Sequence, residues 1–249
     1  PSSDRRFSFR ELNDRSNQVA HALRDNGVQH GDRVGLLLMN GVEFIESFFA
    51  AGKIGAVNVP LNWRLVADEL EFILADAGAT VLVYSADFAE VVRELKSRRD
   101  DIAITTWIQV GGDVLDGAVD YDDWRSAATT DEPSPSGSCD DLMFIMYTSG
   151  TTGLPKGVMH SHDTVLWSIL TAVATADFEV GDRYLISLPM FHVGALNPVL
   201  SCIYSGSSIT ILKAFDPVQS WELIRDEKIT TTLMVPVMLQ FMLAVRDPA

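Results

Sequence analysis

Short apolar runs alternate with amphipathic helical segments along the whole of this 249-residue chain. That alternation constrains the fold more than any composition figure, because each one-sided helix needs a sheet face to cover. Ser8-Phe-Arg-Glu11 has the spacing of a capping box. It opens a helix whose Leu12, Ser16, Val19, Ala20 and Leu23 share one face, and Gly27 closes it. An apolar strand over 34–39 follows, then a helix burying Phe44, Ile45, Phe48, Phe49 and Gly52, then a strand over 56–59 ending at Pro60. The same patterning predicts helices over 67–77, 86–97 and 121–128, with strands over 80–84 and within 102–110. Further along it predicts strands over 142–146, 184–188, 208–212 and 229–235. The helices between them cover 163–176 and 196–204, a third opens at Asp216-Pro217 with a cap residue before proline, and a last begins at Pro236. The expected fold class is therefore α/β, with layered sheets and flanking helices. Residues 129–138 concentrate Thr, Ser, Pro and Gly. They suggest a first α/β lobe at 1–130, a linker at 131–139 and a second lobe at 140–249.

Gross properties narrow the partners. A net charge of −15 argues against nucleic acid and against an anionic membrane surface. No apolar run reaches the roughly 20 residues of a membrane span, and the polar start Pro1-Ser-Ser-Asp-Arg-Arg lacks a signal-peptide core. Cys139 and Cys202 have no metal-like spacing, so a reduced, cytoplasmic setting is expected.

Residues 147–157 read Tyr-Thr-Ser-Gly-Thr-Thr-Gly-Leu-Pro-Lys-Gly, and the apolar strand 142–146 leads straight into them. Glycines allow backbone N–H groups to converge on an anion, hydroxyls donate to phosphate oxygens, and Lys156 adds a mobile charge. A flexible surface loop would explain the Gly/Ser/Thr content, but not a lysine set between Pro155 and Gly157. A Walker A loop needs Gly-Lys followed by Ser or Thr, and that order is absent here.

Extended to His160, this run resembles the AMP-binding signature of the acyl-adenylating enzymes, the superfamily of acyl- and aryl-CoA synthetases, peptide-synthetase adenylation domains and luciferase. The resemblance covers nearly the whole chain. It implies the N-terminal large domain of that fold, truncated, because the family's Tyr-Gly-x-Thr-Glu and Thr-Gly-Asp stretches and its mobile C-terminal domain have no counterpart in this sequence. It further implies that Thr148, Ser149, Gly150, Thr151, Thr152, Gly153, Lys156 and Gly157 bind ATP, that Lys156 lies near the β- and γ-phosphates, and that Thr148 can contact Mg²⁺. Pro189-Met-Phe-His192 resembles a second family motif, which implies that His192 is an orienting residue between nucleotide and acyl pocket and, with Lys156, a catalytic one. Val193 and Gly194 then line the acyl pocket, with small side chains leaving room for a chain.

The activity implied is that of a long- or medium-chain fatty-acid–CoA ligase using ATP, Mg²⁺ and CoA. A fatty acyl-AMP ligase and a non-catalytic nucleotide- or acyl-binding module are the alternatives. A homodimer and a peripheral encounter with membrane are left open by the resemblance. The pair His160 and His162 has a spacing compatible with a metal, but no third ligand is evident, and both are expected to be polar residues entering the next helix. Trp167, Met234, Met238 and Phe241 are expected to pack in the core.

Overall fold

A computed structural model describes residues 5–98, 102–148, 153–176 and 178–245. It divides into two compact units. One holds Arg6–Leu38 with Val42–Val165, and the other holds Met39–Gly41 with the chain from Leu166 onward.

The first unit is built on a seven-stranded sheet. Its elements are α1 (Phe9–Asp25), β1 (Arg33–Leu37), α2 (Val42–Lys53), β2 (Val57–Pro60), α3 (Ala67–Ala77), β3 (Ala79–Ser85), α4 (Ala89–Ser97), β4 (Thr106–Val110), β5 (Val119–Asp120), α5 (Tyr121–Ser126), β6 (Leu142–Thr148) and β7 (Lys156–Ser161). Spatial order is β5-β4-β3-β1-β2-β6-β7, parallel except for the antiparallel pair β6–β7. The expected α/β class with flanking helices holds. The capping box forms as the spacing predicts: Ser8 N donates to Glu11 Oε2 at 2.7 Å, and Glu11 N donates to Ser8 Oγ at 3.2 Å. The interior strand β3 is buried along nearly its whole length, as a strand covered on both faces must be. Leu82 and Tyr84 join Leu37, Val59 and Trp107 under Leu70, Ile73 and Leu74 of α3 and Val92 and Leu95 of α4. The alternate residues Val81 and Val83 are also fully buried, and α1 packs against α2 and α5.

The stretch expected to be a linker is instead fastened to α1. Residues 13, 17, 21 and 24 recur at helical spacing, and each donates or pairs outward: Asn17 to Thr130 O at 2.9 Å, His21 with Asp131 O at 3.0 Å, Arg24 to Ser134 O at 2.9 Å, and Asn13 to Glu132 at 3.2 Å. Lys53 pairs with Glu132 from α2. After this strap the chain enters β6, which lies beside β2 in the same sheet. The division between units thus falls at 165/166 rather than within 131–139. The reason is physical: turn-forming composition marks irregular backbone, and side-chain hydrogen bonds decide whether that backbone is free or docked.

The second unit has a three-stranded parallel sheet in the order β10-β8-β9, made of β8 (Arg183–Ile186), β9 (Ser208–Ile211) and β10 (Thr231–Thr232). Its helices are α6 (His162–Thr175), which straddles the division, α7 (Val193–Ser205), α8 (Pro217–Asp226) and α9 (Pro236–Val245). Asp216 caps α8 by accepting from Gln219 N at 2.8 Å. The strand predicted over 229–235 shrinks to two residues. Met238 and Met242 are the buried residues of α9, whereas Phe241 and Trp167 are more than half exposed, which corrects the core role expected of those two.

Candidate functional site

The hydroxyl-rich run connects the paired strands β6 and β7 of a β-hairpin. The sequence pattern predicted a strand before it and a helix after it, but β7 intervenes, antiparallel to β6 with Thr148 opposite Lys156 and Tyr147 opposite Gly157. Ser149, Gly150, Thr151 and Thr152 lie outside the described residues. On the described side of the tip, Gly153 has φ +112°, a conformation that side-chain-bearing residues rarely adopt.

Strand alternation sorts the hairpin into two faces. Phe144, Met146 and Thr148 stand opposite His160, Val158 and Lys156, so one face grades from aromatic near the base to hydroxyl and ammonium at the tip. The Phe144 and His160 rings stack at 4.4 Å. Thr148 and Lys156 are exposed and directly paired, which sets a donor hydroxyl beside a cation at the mouth of the loop. The other face carries Ile145, Tyr147 and Gly157. A Cβ on Gly157 would come within 2.7 Å of Ile145 Cγ2 and 3.1 Å of Tyr147 Cζ, so the glycine makes room for the tyrosine ring.

His160 and His162 fall in different elements. His160 belongs to β7, whereas His162 is the first residue of α6 and packs over Gly52 of α2. Burial pushes both imidazoles below the ordinary histidine value, with Asp141 partly opposing this at His162. Among the described residues no cluster of three or more His, Cys, Asp or Glu side chains could hold a metal ion.

His192 sits in the second unit as the N-cap of α7, where its Nδ1 accepts from Gly194 N at 3.3 Å. With Nδ1 engaged in this way, Nε2 is the ring nitrogen that faces outward on the exposed side chain. Met190 and Phe191 are buried and anchor the turn, while Val193 is exposed and Gly194 half-buried. A Cβ on Gly194 would meet only ordinary contacts, the nearest being Leu188 Cδ1 at 3.5 Å, so no close approach within the fold demands glycine here.

A family model described as AMP-binding enzyme matches residues 2–249. The chain belongs to the AMP-binding enzyme family. It is 42% identical over 243 residues to the long-chain-fatty-acid–CoA ligase FadD13 of Mycobacterium tuberculosis, covering 97% of this chain and 47% of that protein. It is 35% identical over 235 residues to a feruloyl-CoA synthase of Amycolatopsis, covering 94% of this chain and 44% of the relative. Among solved structures, the inhibitor-bound N-terminal domain of FACL13 from Mycobacterium tuberculosis superposes with a TM-score of 0.90 at 40% identity, over 97% of this chain and 59% of that one. This AMP-binding chain therefore spans about half the length of the curated relatives it matches.

Two residues of this AMP-binding chain escape sequence reasoning. Asn40 is buried, and its Nδ2 donates to Leu188 O at 2.8 Å and Leu212 O at 3.0 Å while its Oδ1 accepts from Met190 N at 2.8 Å. It thereby ties the ends of β8 and β9 to the turn that delivers His192. An asparagine at the end of an apolar strand reads simply as a turn residue, so no local signal points to this role. Ser187, just before that turn, is buried, and its Oγ has no hydrogen-bond partner among the described residues.

Proposed function

We propose that this chain supplies the phosphate-binding hairpin and part of the acyl site of an ATP-dependent acyl-CoA synthetase acting on fatty acids of medium or long chain. The observation that carries the reading is the direct pairing of Thr148 with Lys156 at the hairpin mouth, within a sequence that matches the AMP-binding family throughout. In the reaction proposed, a fatty-acid carboxylate oxygen attacks the α-phosphorus of ATP and pyrophosphate leaves, giving acyl-AMP. The CoA thiol sulfur then attacks the acyl carbon, the thiol proton is lost and AMP leaves.

Displacement at phosphorus asks mainly for positioning and charge neutralisation. Lys156 supplies a point charge for the outer phosphates, and Thr148 a hydroxyl donor. Thr148 also offers one neutral oxygen to Mg²⁺, which suits an ion that keeps several waters and takes its remaining ligands from phosphate. Bound there, Mg²⁺ would supply further neutralisation of the triphosphate. His192 presents its Nε2 as an orienting group, and no base is required of it because the substrate acid is already ionised at neutral pH. The fatty-acid preference is supported by the similarity to FadD13 and by the small, half-buried Gly194 beside His192.

Isothermal titration of the chain with MgATP tests the hairpin. Lys156→Ala is expected to weaken binding by about tenfold or more. Equal affinity in wild type and variant would remove Lys156 from the nucleotide site and with it this reading.

A further inference from the structure

The outer half of the hairpin is poorly supported by the sheet. The ladder between β2 and β6 consists of the single pair Asn58↔Phe144, and β2 ends at Pro60. In that parallel register Val59 and Pro60 lie alongside Ile145 and Met146, so residues 147–148 run beyond their inner neighbour with β7 as their paired strand. A two-stranded ribbon on its own is at best marginally stable in water. Thr148 and Lys156 stand at the far end of that ribbon.

Among the described residues, Tyr147 carries the side-chain hydrogen bond that ties this outer half to the helix layer. Its hydroxyl donates to Asp76 Oδ2 on α3 at 2.5 Å, a length expected of a bond to an ionised carboxylate. Asp76 stands in the last turn of α3, where none of the helix's own residues is basic, Arg33 Nε donates to Ala77 O at 2.6 Å, and a negative charge opposes the helix dipole. Placement there costs stability, so the bond it makes is informative. Burial, followed by the Asp76 carboxylate, pushes the Tyr147 phenol up, which keeps the hydroxyl protonated as the donor. Gly157 leaves space for the ring directly across the strand pair.

We propose that Tyr147 and Asp76 form a positioning latch that holds the hairpin mouth, and with it Thr148 and Lys156, in place to receive the polyphosphate of a nucleotide. The latch lies on the face opposite Thr148 and Lys156, so it fixes their backbone and leaves their side chains free for ligand. Tyr147 and Asp76 are positioning residues, acting through the strand. The inference rests on the nucleotide reading of the hairpin given above.

The test uses the 249-residue chain with MgATP as the probe. Tyr147→Phe retains the ring over Gly157 and removes only the donor; Asp76→Ala removes the acceptor. Each is expected to weaken MgATP binding about tenfold, equivalent to about 1.4 kcal/mol. The double variant should be no weaker than either single one, and Asp76→Asn, which keeps an acceptor, should recover most of the affinity. In a Lys156→Ala background, Tyr147→Phe should have little further effect. Lower thermal midpoints with unchanged MgATP affinity would show a merely structural bond and overturn the proposal. Should the wild-type chain itself fail to bind MgATP, the nucleotide reading falls, and the latch is judged by hydrogen exchange at the amides of 156–161. Exchange about tenfold faster in both single variants supports it, and unchanged exchange overturns it.

Discussion

Replacing Asn40 with alanine removes three buried hydrogen bonds at once: two donated to the carbonyls of Leu188 and Leu212, one accepted from the Met190 amide. The groups left behind cannot all reach water, since Asn40 is 7% exposed and Met190 is 1% exposed. An unsatisfied buried polar group costs about 1–3 kcal/mol, and carbonyls tolerate neglect better than amides do. The sum is about 3–5 kcal/mol, a large share of the roughly 5–15 kcal/mol that holds a typical domain together. For a chain of this size that corresponds to a fall of roughly 6–20 °C in thermal midpoint. Asn40→Asp should be worse than alanine, because it turns two donors into an anionic oxygen facing carbonyls. Urea denaturation followed by tryptophan fluorescence, with hydrogen exchange over 183–212, measures both the size and the place of the loss. A loss for Asn40→Ala below about 0.5 kcal/mol, or an aspartate variant milder than alanine, would refute the argument.

The buried carboxylate of Glu46 accepts from Arg15 and from Tyr121 Oη at 2.8 Å. Arg15→Met should therefore cost about 3–5 kcal/mol by stranding a charge, and Glu46→Gln distinctly less, as read from urea midpoints. Gly157→Ala should destabilise the hairpin by about 1–3 kcal/mol through overlap with Ile145 and Tyr147, seen as faster amide exchange in β7. His160 and His162 have folded-state values below those of the unfolded chain, so the unfolded state binds more protons on acidification. Their contribution to stability is full above the ordinary histidine value of about 6.5 and is lost as pH falls through the folded values. Thermal midpoints at pH 7.5 and 5.5 should accordingly differ less in a His160→Gln, His162→Gln double variant than in wild type; an equal difference would discount burial of these rings. Finally, Gly194→Trp in an enzyme containing this chain should shift acyl preference toward shorter acids, and an unchanged chain-length profile would remove Gly194 from the acyl site.

The sequence by itself determined those elements whose causes are local. The capping box of α1, the span of α3 up to Gly78 and the Asp216-Pro217 start of α8 all appear where residue pattern put them, because caps and amphipathic period act within a few residues. The run at 147–157 points to the family for the same reason: its residues are contiguous. What the tertiary structure decided depends on partners far away in the chain. Strand β7 contains Lys156 and Gly157, neither a strong strand former, and exists because β6 offers it a hydrogen-bonding edge. The stretch at 129–138 reads as a free linker until α1 is seen to hold it. Asn40 gains its role only when three backbone groups from 188–212 surround it, and Tyr147 gains its role only when Asp76 is brought to it across 71 positions. Local steric and capping preferences are written residue by residue, whereas the partner of a buried polar group is chosen only when the chain closes upon itself.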